Sequence, residues 1–213
     1  MSNNPHPRQG SLIVISGPSG AGKTSVIDAL LESDSTLKCS VSATTRPPRP
    51  NEINGVNYHF LSPSEFETHL GKDEFVEWTW YGGYRYGTLK SEIESPSAEG
   101  KDLVFEIDVK GAMALKSWSP NIISIFILPP SFAMLERRLR RRQTESDQEL
   151  QQRLAIARSE IDWIKDYDYY VINPDDKIDQ AVQQIRHIIY AQRCRINESF
   201  IAWTSREFSH PPS

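Results

Sequence analysis

The sequence predicts an α/β fold: a P-loop three-layer core around a parallel sheet, with a mixed α+β subdomain inserted into it and a helical lid. Three observations predict it. A Gly-rich loop joins an apolar run to a helical run near the start of the chain. Continuous apolar strands alternate with amphipathic helices along the rest. The composition changes twice, to a Pro-, Gly- and aromatic-rich segment at 43–97 and to an Arg-rich helical pair at 136–164.

The loop is Gly17-Pro18-Ser19-Gly20-Ala21-Gly22-Lys23-Thr24, after the apolar run Leu12-Ile13-Val14-Ile15 and before the helical run that starts at Ser25. This is G-x-x-x-x-G-K-[ST] in the strand–loop–helix context that makes it a phosphate site. The glycines let a polyphosphate lie against successive backbone N–H groups, and the helix N-terminus adds its own N–H groups and dipole. Lys23 is expected to reach the β- and γ-phosphates, and the Thr24 hydroxyl to ligate Mg²⁺.

Lys38–Ser42 reads as a short buried strand. The following Ala43–Glu52 segment is too rich in proline for a helix or sheet interior, and it presents Arg46 and Arg49 on a stiffened loop suited to anions. Val56–Leu61 alternates as a strand. Ser62, Pro63 and Glu65 spell a capping box with proline at the first helical position, and Gly71 is the expected stop. Phe75–Tyr81 is a strand, Gly82-Gly83 a turn, and a short helix runs towards Pro96.

The parallel core resumes at Asp102–Asp108, an apolar strand ending in carboxylates, which fits the ligand crevice of an open α/β sheet. Residues 122–128 form the next strand. Ser131 begins a helix carrying Arg137, Arg138, Arg140, Arg141 and Arg142, and a second amphipathic helix covers 147–164 with Arg153 off its apolar stripe. Next to a phosphate loop, these arginines read as a flap over polyphosphate. Tyr169–Asn173 is the last strand and 177–196 the last helix; the tail after Asn197 has no clear pattern, and residues 1–10 are expected to be disordered.

With 213 residues the chain suits one domain with inserted subdomains. Its formal net charge of −4 argues against a nucleic-acid binder, though not against a local basic pocket. Two cysteines far apart fit a reduced, cytoplasmic protein, and no apolar run is long enough for a membrane span. The scattered His6, His59, His69, His187 and His210 indicate neither a metal site nor a catalytic triad.

Six segments together resemble the guanylate kinases: GPSGAGKTS at 17–25, SATTRPPRPNEINGVNYHF at 42–60, FVEW at 75–78, YRYGT at 84–88, EIDVKGA at 106–112 and RRLRRR at 137–142. The resemblance runs from about Ser11 to Ile196. It implies transfer of the γ-phosphate of ATP to GMP with Mg²⁺. It also implies a P-loop core at 11–42, 98–135 and 165–196, a GMP-binding subdomain at 43–97 and a lid at 136–164. By position, it implies that Gly17 to Ser25 hold ATP, that Ser42, Arg46, Arg49, Tyr58 and Tyr86 hold the GMP phosphate, and that Glu77, Thr88 and Asp108 read guanine. It implies that Lys23, Arg138, Arg142 and Arg153 supply charge around the phosphates and the transferring group.

The pattern departs from the family at Arg141-Arg142-Gln143, where glycines often flank the arginine, at Pro50-Asn51-Glu52, and at Pro174, where an acid is usual. A related non-catalytic module that binds phosphopeptides typically lacks the loop lysine, which is present here. A P-loop kinase for another monophosphate is the third reading, against which Glu77 and Thr88 argue. Monomer and homo-oligomer remain equally open.

Overall fold

The computed structural model describes residues 10–98, 100–141 and 147–208, without the side chains of 95–98. The stretch expected to be disordered at the N-terminus lies almost wholly outside them, as do His6, His210 and Arg142.

Strand β1 (Leu12–Ser16) is the centre of a parallel sheet ordered β2-β7-β1-β8-β9, with β2 at Leu37–Cys39, β7 at Asp102–Glu106, β8 at Ile123–Leu128 and β9 at Tyr169–Ile172. These strands carry near-continuous apolar runs because both faces are covered. On one face Ile13, Ile15, Ile125 and Ile127 pack against Val26, Ile27 and Leu30 of α1 (Lys23–Ser33) and Ala181, Val182, Ile185 and Ile189 of α7 (Ile178–Arg193). On the other, Val14, Leu103 and Phe105 meet Ile93 of α3 (Ser91–Ala98) and Ala112 and Leu115 of α4 (Val109–Trp118). The expected three layers result.

A second sheet, ordered β4-β3-β6-β5, takes all its strands from the segment between β2 and α3: β3 (Ala43–Thr44), β4 (His59–Phe60), β5 (Phe75–Tyr81) and β6 (Tyr84–Leu89). Helix α2 (Pro63–Gly71) closes its small core by stacking Phe66 on Phe75 at 4.4 Å. The turn glycines Gly82 and Gly83 both have positive φ, as a two-residue hairpin turn requires. The Ser62–Glu65 capping box is formed in both directions. Ser62→Ala is therefore expected to lower stability by about 1 kcal/mol, read as a shifted denaturation midpoint at unchanged slope.

Four expectations need correction. The strand read at Lys38–Ser42 ends at Cys39, because the chain leaves the parallel sheet there and Ala43 enters the other one. The strand read at Val56–Leu61 shrinks to His59–Phe60, because Asn54 and Asn57 side chains bond the backbone of Phe60 and Ile53 and hold a turn instead. Gly71 ends α2 inside the helix, and the left-handed position falls two residues later, on Asp73. The tail contains α8 (Glu198–Phe208), whose Trp203 ring meets those of Phe200 and Phe208.

The helical pair read as a lid consists of α5 (Phe132–Arg140), capped by Ser131, and α6 (Asp147–Ile161), which passes into a 3₁₀ turn at Asp162–Asp166. Leu135 and Leu139 pack against Leu150, Leu154 and Ala157, and Arg158 lies over the Phe132 ring at 4.5 Å. Among the described residues no helix is long and apolar enough to cross a membrane.

Candidate active site

The phosphate loop is wedged into the end of the parallel sheet. A Cβ on Gly17 would lie 2.2 Å from the Ile127 carbonyl, and one on Gly22 would lie 2.5 Å from Asn173 Nδ2. Both residues also have left-handed φ, 146° and 86°, so no side chain fits at either. Ala21 is buried and its N–H closes the loop on Pro18 O at 3.1 Å; Gly20 rests against Leu139 of α5; Ser25 is exposed on the first turn of α1. Lys23 Nζ donates to Gly17 O at 2.6 Å and Pro18 O at 3.3 Å, spanning the loop. Thr24 Oγ1 donates to Glu106 Oε1 at 2.6 Å, at the C-terminal end of β7.

The loop opens on a cleft of about 560 Å³ between the two sheets, whose walls include Ser19, Lys23, Thr24, Ser42, Arg46, Arg49, Tyr58, Glu77, Tyr86 and Asp108. Residues far apart in sequence thus converge. Arg46 Nη2 donates to Glu52 Oε1 at 2.9 Å, and Arg49 N donates to Glu52 Oε2 at 2.7 Å. The Arg46 guanidinium also lies over the Tyr58 ring at 5.4 Å, and Tyr58 meets Tyr86 edge-on. Arg46, followed by the Arg49 N–H, holds the Glu52 carboxyl below its usual range. Ser42 sits where the chain crosses between the sheets, its carbonyl accepting from His59 N.

Deeper in the cleft, Glu77 is 7% exposed. Burial pushes its carboxyl up to about 7, with the Asp108 charge adding to the effect and the Thr88 hydroxyl opposing it. Thr88 is fully buried and gives its one hydroxyl proton to Glu77 Oε1 at 2.7 Å, so it supports Glu77 instead of lining the cleft. Asp108 caps α4, with Oδ1 accepting from Gly111 N at 2.8 Å. A Cβ on Gly111 would come within 3.3 Å of Glu77 Oε2 and 3.4 Å of Asp108 Oδ1, so this glycine lets the two carboxylates approach one space.

The lid arginines divide. Arg138 is part of the floor: it donates to Ala21 O at 3.1 Å, to Asn173 O at 2.8 Å and to Asp175 Oδ1 at 2.7 Å. Arg137 also pairs with Asp175, whose carboxyl these guanidiniums, Arg138 first, hold below its usual range. Arg153 reaches the loop itself, with Nη2 donating to Ser19 Oγ at 2.8 Å. Helix α5 runs to Arg140, and Arg142 lies outside the described residues. Sequence reasoning missed three residues here: Asn173, whose Nδ2 donates to Ala21 O at 2.9 Å, Glu52 and Glu160. Only Glu160 had a local signal, two turns after Arg153 on the same helix face. Among the described residues no group of three or more His, Cys, Asp and Glu is placed to hold a metal.

The guanylate kinase family profile matches residues 9–192. A guanylate kinase of Caldanaerobacter subterraneus subsp. tengcongensis is 45% identical over 192 residues, covering 90% of this chain and 92% of that one. One of Idiomarina loihiensis is 43% identical over 201 residues, covering 93% and 95%. The crystal structure of guanylate kinase from Anaplasma phagocytophilum superposes with a TM-score of 0.77 at 27% identity, covering 97% of this chain and all of that one. A phosphate loop, an arginine-lined cleft and a family match over most of its length lead to one conclusion: the chain belongs to the guanylate kinase family.

Proposed function

We propose that the chain transfers the γ-phosphate of ATP to GMP, giving ADP and GDP, in the cytoplasm. The observation that carries this reading is the shared cleft, in which Lys23 and Ser19 meet Arg46, Arg49 and Glu77. Donor and acceptor phosphates held there would lie end to end. Phosphoryl transfer then needs alignment and positive charge more than covalent help. The bond from the γ-phosphorus to the ADP oxygen breaks as one to a GMP phosphate oxygen forms.

In this reading Gly17 to Ser25 cradle the ATP phosphates, and Lys23, Arg138, Arg142 and Arg153 offset their charge. Ser42, Arg46, Arg49, Tyr58 and Tyr86 hold the GMP phosphate. Glu77 and Asp108 accept from the guanine N1–H and amino group, and Thr88 fixes Glu77. Mg²⁺ bound with ATP neutralises phosphate charge; the Thr24 hydroxyl beside Glu106 is an all-oxygen donor set of the kind it prefers. A coupled assay of ADP formation with GMP, AMP, UMP and dTMP tests the proposal. Turnover with GMP far above the others is expected; binding of GMP without turnover would refute it.

Glu77→Gln keeps the shape but aims a donor at guanine donors. It is expected to lower kcat/KM for GMP by about 10²-fold, the scale of a lost charge-assisted hydrogen bond plus an unpaired donor. The GMP-to-AMP ratio should fall with it, since adenine carries no N1–H to satisfy. A variant that loses activity but keeps its full preference for GMP would remove Glu77 from base reading. The pH dependence has a definite sign. The ionised carboxylate is the better acceptor, so the advantage of wild type over Glu77→Gln in GMP affinity should shrink as pH falls through about 7. Folding has the opposite sign: a raised carboxyl favours the folded state below its ordinary range and loses that contribution as pH rises towards 7.

A further inference from the structure

Two hydrogen bonds from α6 meet the phosphate loop at Ser19. Arg153 Nη2 donates to Ser19 Oγ at 2.8 Å, and Glu160 Oε2 accepts from Ser19 N at 3.1 Å. The two side chains leave the same face of α6, about two turns apart. An arginine beside a phosphate loop is expected; a carboxylate there is not. Glu160 lies in the same cleft as Lys23, Tyr81, Glu77 and Asp108. Burial raises its carboxyl above the usual range, while the Ser19 N–H and the Lys23 charge favour the ionised form and Asp108 opposes it. The group is therefore held where an anion is welcome at the loop and unwelcome on its other side.

A backbone N–H has one hydrogen and serves one good acceptor at a time. On the reading that this loop binds the polyphosphate of ATP, a phosphate oxygen arriving at Ser19 meets Glu160 as a competitor of the same charge. We propose that Glu160 is a positioning residue whose carboxylate stands in for a phosphate oxygen on the Ser19 N–H and is expelled by the donor nucleotide. Repulsion of Glu160 and attraction of Arg153, carried on one helix face, give α6 opposite pushes at its two contacts. Donor binding thereby removes the carboxylate from the loop while the guanidinium stays, and α6 responds to donor charge before the acceptor reacts.

A structural role and a stand-in role predict opposite signs. Glu160→Gln retains the length and an acceptor oxygen but not the charge, so it should compete less well. Calorimetric titration with Mg²⁺ and a non-hydrolysable β,γ-imido analogue of ATP is expected to give a Kd about 5- to 10-fold lower in Glu160→Gln than in wild type, part of the worth of one charge-assisted hydrogen bond. Glu160→Asp withdraws the carboxylate by one methylene and should also tighten binding. An unchanged or higher Kd in both variants overturns the proposal, and so does failure of both to fold, which would make Glu160 structural. Wild type that does not bind the analogue would instead overturn the ATP reading of the loop on which the proposal rests.

Discussion

Arg153→Ala is expected to lower kcat by about 10³-fold or more, the range for an arginine brought to a transferring phosphoryl group. Arg153 reaches the phosphate loop through the Ser19 side chain, from α6, which packs against α5. Arg138, by contrast, is clamped by Ala21, Asn173 and Asp175, and its loss would disturb the floor of the site. The two differ in readout. Arg153→Ala should leave the thermal midpoint and GMP affinity near wild type while kcat collapses. If the loss appears in KM for GMP, or if the protein is destabilised in proportion, Arg153 is not acting on the transferring group.

Lys23→Ala is expected to cut kcat by about 10²–10³, the loss found when one preorganised charge partner of a transition state is removed. Lys23 begins α1 and folds back onto Gly17 O and Pro18 O, so its ammonium stays on the donor side of the cleft. The proposed GMP contacts come from Ser42 to Asp108 instead. Calorimetric GMP affinity should therefore survive in a folded Lys23→Ala protein. Loss of that affinity would contradict the division of the cleft into donor and acceptor halves.

Local chemistry was legible in the sequence, and distant chemistry was not. The Ser62–Glu65 box, the Gly82-Gly83 turn and the left-handed Gly17, Gly20 and Gly22 follow from neighbours a few residues away. The strand core was legible because burial on both faces leaves unbroken apolar runs, as in Ile123–Leu128. Short strands of the inserted unit were not: Val56 is 64% exposed, and asparagine side chains override the alternation that suggested a strand. Helix α8 was missed because it has no buried residue and so no apolar stripe tied to the core. In the site, the phosphate loop was readable from its local pattern, but pairings such as Glu160 with Ser19, 141 residues apart, are made only by the topology.

The bond from Asn173 to Ala21 spans 152 residues, and it shapes how the protein comes into being. The loop is made 152 residues before the side chain that fills the space beneath Gly22. At about 5–20 residues per second, the nascent chain carries an unsupported loop for roughly 8–30 seconds of translation. Parallel strand order places β1 between β7 and β8, so its partners also arrive late. A ribosome stalled before Asn173 would therefore hold a polypeptide bearing the whole phosphate motif without the side chain beneath it.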